Sequence, residues 1–144
     1  MVAQHVCNGV IRVLVIEDNR ADVRLIRLAL GDAGMPCDLH VIENGADAIS
    51  LVHRIAQEQS APQPHVVLLD LNLPQGDGID VLRAMRQSQK LRDVPIAVLT
   101  SSGLPSDRST VLGLGATCFI RKPSRVDQIA DVAQTVRELW RSVS

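Results

Sequence analysis

Aromatic residues are nearly missing from this 144-residue chain, which has one Phe, one Trp and no Tyr. That excludes the stacked platforms on which single-stranded nucleic acid is bound. An excess of one charge sign is missing too. Lys and Arg number 15 against 16 Asp and Glu, a formal net charge of −1, so no general attraction to nucleic acid or to an anionic membrane is expected. Cysteine is sparse: Cys7, Cys37 and Cys118 are odd in number and lack C-x-x-C spacing, which suits reduced thiols rather than a disulfide framework. No apolar run approaches the roughly 18 residues of a membrane span, and the N-terminus has no signal-peptide core. A soluble, cytoplasmic protein with no nucleic-acid and no membrane partner is the expectation.

Aliphatic residues carry the pattern instead, in a chain of one-domain length that is 46% hydrophobic. The run HVVLLD ends at Asp70, and the run IRVLVI, residues 11–16, is followed at once by Glu17 and Asp18. Near-continuous aliphatic strands mark a parallel sheet covered on both faces. Strands are expected at 10–16, 37–43, 65–70, 95–100 and 117–121, alternating with helices at 20–33, 45–58, 78–89, 106–114 and 124–142. Val23, Ile26, Leu30 and Ala33 repeat at helical spacing in the first helix, with Asn19 as its N-cap and Asp22 favourable in its first turn. Gly76 and Gly78 read as turn and helix-packing glycines. Alternating βα units give an α/β fold, (βα)5, a doubly wound five-stranded parallel sheet in the flavodoxin-like order 2-1-3-4-5. In that order the ligand crevice opens between strands one and three, the strands that end in Glu17-Asp18 and Asp70. Three carboxylates therefore converge at one sheet edge, which predicts a cation-binding pocket.

Thr100, followed by the small Ser101, and Lys122, followed by Pro123, close the fourth and fifth strands at the same edge. With VLVIEDN, LLDLNLPQGDG, AVLTSS and FIRKP in order, the chain resembles the receiver domain of two-component response regulators from Val10 to about Trp140. Its longer phrases, IEDNRADVRLIRLAL and DLNLPQGDGIDVL, resemble the stand-alone receivers that partner bacterial phytochrome histidine kinases. Residues 10–144 are then the receiver domain and 1–9 an N-terminal tail in which Cys7 has no evident role.

The resemblance implies that Asp70 is the nucleophile, taking a phosphoryl group from phosphohistidine to become an acyl phosphate. It implies Mg2+ held by Glu17, Asp18, Asp70 and the backbone carbonyl of Asn72, with Lys122 pairing a phosphoryl oxygen and the Thr100 hydroxyl donating to another. A cis Lys122–Pro123 bond would aim the lysine, and Phe119 stands where receivers place the aromatic switch residue. A sensor histidine kinase, a bacteriophytochrome in the narrower reading, is the expected donor, and a histidine phosphotransfer protein an onward acceptor. After Ser144 no output domain is expected, so output runs through protein contacts. The last helix carries more apolar positions than one core stripe, and Val132, Leu139 and Trp140 are expected to form a partner or homodimer surface.

Three rivals remain. An aspartyl phosphohydrolase would want a second acid where Asn72 stands. A pseudo-receiver would usually have lost an acid, the threonine or the lysine. A flavin carrier would need a phosphate loop after the first strand, together with aromatics. The expected protein is a signalling phosphoacceptor, not an enzyme with turnover.

Overall fold

The computed structural model describes residues 10–58, 63–73, 77–100, 105–122 and 130–143. Five strands, β1 Ile11–Ile16, β2 Cys37–Ile42, β3 Val66–Asp70, β4 Ile96–Thr100 and β5 Cys118–Arg121, alternate with helices α1 Arg20–Asp32, α2 Gly45–Gln57, α3 Gly78–Gln87, α4 Pro105–Gly113 and α5 Ala130–Val143. All strand pairs are parallel, in the order β2-β1-β3-β4-β5. The expected architecture is therefore present, with element ends within about two residues of the expected ones where both are described.

The aliphatic runs are buried because both faces of the sheet are covered. Leu14, Ile16, Val67, Leu69, Ile96 and Val98 point to the side packed by α2 and α3, whose Leu51, Val52, Ile55, Val81, Leu82 and Met85 complete one cluster. Their alternating neighbours Val13, Val15, Val66, Leu68, Ala97 and Leu99 meet Ile26 and Leu30 of α1 and Val132, Ala133, Val136 and Leu139 of α5. The period-two alternation of a strand thus divides one hydrophobic run between two cores.

Caps start the helices where the sequence allows. The Asn19 side chain accepts from the amides of Ala21 at 2.9 Å and Asp22 at 3.2 Å. Asn44 opens α2 through the amide of Asp47, and Asp77 opens α3 through that of Ile79. Gly78, the first residue of α3, lies against the end of β3. A Cβ there would come within 2.6 Å of the Asp70 carbonyl oxygen and 2.8 Å of the Leu71 backbone. This close approach sets α3 directly beside the strand that ends in Asp70.

The sequence expectation for α5 needs correction. Val132 is 1% and Leu139 7% exposed, both within the core against α1 and the sheet. Trp140 is partly buried beside them, its ring 4.5 Å from that of His65. The broad apolar face is used internally, since α5 packs on the sheet and against α1 together, and Arg137 also reaches the Ala33 carbonyl at 2.9 Å. Val132 and Leu139 are core positions and do not form a free interface, while Trp140 keeps part of its surface exposed.

Candidate functional site: an acidic pocket at the sheet edge

Parallel register brings the strand ends together. Ile16 pairs with Leu69, Asp70 with Leu99 and Thr100 with Arg121. Glu17, Asp70, Thr100 and Lys122 therefore emerge at the carboxyl edge, and the Lys122 amide donates to the Thr100 carbonyl at 2.7 Å. Glu17, Asp70 and Thr100 are 1%, 3% and 0% exposed, whereas Asp18 and Asn72 are exposed.

Asp70 uses both oxygens. Oδ1 accepts from the Asn72 backbone amide at 3.1 Å, closing a turn, and Oδ2 accepts from Lys122 Nζ at 3.2 Å. Lys122 also lies 2.6 Å from Glu17 Oε1 and donates to Asp22 Oδ2 at 2.9 Å. At 2.6 Å the Glu17 contact is an ion pair to a buried oxygen, and it pulls the Glu17 carboxyl back toward its charged form. The other oxygen, Oε2, accepts from the Asn19 amide at 3.2 Å.

Electrostatics follow from this crowding. Burial, reinforced by the neighbouring Asp70 carboxylate, pushes the Glu17 carboxyl up to about 8, with Lys122 and the Asn19 amide pulling it back. Burial alone would depress the Lys122 ammonium, but contacts with Glu17, Asp22 and Asp70 outweigh it and hold the charge firmly on. One cation faces three carboxylates, with Asp18 close by, so the pocket is over-supplied with negative charge.

The residues suit a hard divalent cation. One oxygen from each of Glu17, Asp18 and Asp70 lies within 4.8 Å of the other two. Glu17 Oε1 is buried and already drawn to one cation, the Lys122 ammonium, and all-oxygen donor sets suit Mg2+, Ca2+ or Mn2+.

The sequence-derived site residues are otherwise placed as follows. Phe119 is half-buried against the α2–α3 cluster. Gly76, Ser101 and Pro123, and with Pro123 the geometry of the Lys122–Pro123 bond, lie outside the described residues. Asp22 is what sequence reasoning missed as a member of the site. It was legible only as a favourable first-turn charge of α1, since its contact with Lys122 spans 100 residues of chain.

A doubly wound sheet with an acidic crevice at the β1/β3 switch point, a threonine at the end of β4 and a lysine after β5 is the form of a phosphoacceptor signalling domain. Residues 13–134 match the response regulator receiver domain family, and the chain belongs to that family. It is 29% identical over 128 residues to response regulator Rcp1 of Synechocystis sp., covering 89% of this chain and 87% of that protein. The crystal structure of the phosphorylated cyanobacterial phytochrome response regulator RcpA superposes with a TM-score of 0.80 at 30% identity, covering 92% of this chain and 95% of that one. The Mn2+-bound form of response regulator Rcp1 superposes with a TM-score of 0.77 at 29% identity, covering 90% and 93%. The chain is a two-component signalling protein similar to phytochrome response regulators. No described helix is long and apolar enough to cross a membrane.

Proposed function

We propose that Asp70 accepts a phosphoryl group from the phosphohistidine of a sensor histidine kinase, and that the change at Asp70 alters which protein the domain binds. The observation that carries this is the setting of Asp70: a nearly buried carboxylate at a strand end, with one oxygen fixed by a backbone amide and the other by Lys122. A carboxylate oxygen of Asp70 attacks phosphorus in line with the departing imidazole. The P–O bond forms, the P–N bond breaks, and the imidazole nitrogen leaves with the electron pair. Glu17, Asp18, Asp70 and the Asn72 carbonyl would hold Mg2+, which when bound supplies charge neutralisation for the transferring group.

Lys122 stands ready to follow the new charge, because its ammonium already touches Asp70 and carries donors for a phosphoryl oxygen. Thr100, adjacent on the neighbouring strand, supplies a hydroxyl to a second oxygen. Phosphorylation turns a charge of −1 into roughly −2 and adds strong acceptors, so the ends of β4 and β5 are drawn toward Asp70. Phe119, on β5, carries that movement to the surface. The likeness to RcpA and Rcp1 supports a bacteriophytochrome kinase as donor, and the Mn2+-bound Rcp1 structure supports a divalent cation in the pocket. A histidine phosphotransfer protein would serve as onward acceptor.

Intact-protein mass after acetyl phosphate tests the chemistry. A gain of one phosphoryl group is expected that needs Mg2+ and is absent from Asp70→Asn. No gain from acetyl phosphate or from a phosphorylated histidine kinase would overturn the reading.

A further inference from the structure

Lys122 has three acidic neighbours, and they differ in what a bound cation would do to them. Glu17 and Asp70 belong to the convergent oxygen group, together with Asp18. Asp22 does not. It stands in the first turn of α1, its side chain 25% exposed, 2.9 Å from Lys122 Nζ. Asp22, Glu17 and Lys122 share the wall of a small cavity with Leu25, Ile26, Leu99 and Val132.

We propose that Asp22 is a positioning residue that keeps Lys122 at the pocket once Glu17 and Asp70 are engaged by a divalent cation. This rests on the cation site described above. In the metal-free protein the ammonium is held by three carboxylates, so loss of Asp22 alone would leave two. A cation drawing on Glu17 and Asp70 removes their net attraction for Lys122 and adds a like charge that repels it. Asp22 is then the carboxylate that still holds the ammonium, and it anchors Lys122 to α1 within reach of a phosphoryl group arriving on Asp70. The hydrogen bonds are arranged for this role. Nζ donates to both Asp22 and Asp70, so the lysine can let go of one while keeping the other. Without Asp22, the cation and the lysine would compete for the same carboxylates, and the stem would swing to solvent.

The chain contains two lysines, Lys90 and Lys122, which makes the test direct. Lys90 Nζ is held by the carbonyls of Ile55 and Glu58, both at 2.8 Å, far along the sequence from the pocket, and serves as an internal control. Ammonium proton exchange is read by 15N NMR on the full chain, metal-free and saturated with Mg2+, for wild type, Asp22→Asn and Asp22→Glu. Asp22→Asn preserves volume and leaves the Asn19 cap in place.

Wild type is expected to show a protected Lys122 signal in both states. In Asp22→Asn the signal should persist without metal and be lost with Mg2+, through exchange at least tenfold faster. Lys90 should stay unchanged, and Asp22→Glu should restore protection. A Lys122 signal in Asp22→Asn that survives Mg2+, one lost already in the metal-free state, or one lost in Mg2+-saturated wild type would each overturn the proposal. The backbone amides of Asp70 and Asn72 separate this from the parent reading. If they shift with Mg2+ while Lys122 ignores Asp22→Asn, only the role of Asp22 falls. If they do not shift at all, the cation site falls and this role with it.

Discussion

Two partly buried cations in this fold meet opposite surroundings. Arg86, in the last turn of α3, spends its guanidinium on neutral backbone. Nε donates to the Gly115 carbonyl at 2.7 Å, and Nη1 faces the carbonyls of Leu91, Arg92 and Val94 at 3.2, 2.9 and 2.8 Å. Burial pulls its pKa down and nearby Asp93 pulls it back. Those carbonyls belong to the α3–β4 loop and the α4–β5 turn, and a planar fork can serve several of them from one position. Lys122 is a point charge among three carboxylates. Around Arg86 the guanidinium meets neutral acceptors and no excess charge. Around Lys122 three carboxylates face one ammonium, and negative charge is left over. The first arrangement stitches loops together. The second leaves room for another cation and for a change of partner, which is what a switch requires.

Removing Arg86 should have the largest effect on stability. Arg86→Ala leaves several turn carbonyls without a donor and is expected to cost about 2–4 kcal/mol in urea unfolding. Arg86→Lys should recover only part, because a point charge cannot span the fork. Phosphorylation of the folded fraction should be unchanged. Gly115→Ala strikes the same hub from the other side. Gly115 has φ +107, and a Cβ would lie 3.0 Å from Arg86 Cγ and Nε, so a cost of about 1–3 kcal/mol is expected. A cost below about 1 kcal/mol for Arg86→Ala would erase the contrast between the two cations.

Lys122→Met should cost less than Arg86→Ala, although Lys122 makes more ion pairs. Losing one partner of a buried pair usually costs about 3–5 kcal/mol. Here Glu17 can relieve the charge by keeping its proton, so about 1–2 kcal/mol is expected without metal and still less with Mg2+. Equal costs with and without Mg2+ would show that lysine and cation do not share the same carboxylates.

How much of this was legible in the sequence divides along the same line. The sheet order, both cores and the convergence of Glu17, Asp18, Asp70, Thr100 and Lys122 follow from strand-length aliphatic runs that each end in a polar residue, a local signal. The Arg86 hub was not legible, because backbone carbonyls carry no sequence signature and their positions depend on how two loops fold back. Asp22 was visible as a helix-start charge but not as a partner of Lys122. Val132 and Leu139 were read as an outer surface because periodicity reports how wide an apolar face is. It does not report how many neighbours cover that face, and here α1 and the sheet both do.

The smallest and most specific effect is a pH dependence. In metal-free protein the Glu17 carboxyl is pushed from 4.5 up to about 8, by burial first and Asp70 second. The folded state therefore keeps a proton that the unfolded chain gives up. By linkage this contribution to stability is fully present below 4.5, declines as pH rises and is gone above about 8. The urea midpoint in a chelator should fall across that window in wild type and fall less in Glu17→Gln, which stays neutral throughout. Mg2+ should reverse the trend. A cation binds the deprotonated carboxylate, so the stabilisation it gives must grow with pH over the same range. Arg86 titrates nowhere near this window, and Arg86→Ala should shift the whole curve downward without changing its shape. Parallel curves for wild type and Glu17→Gln would mean that Glu17 is ionised in the resting protein across this range and holds no proton that folding retains.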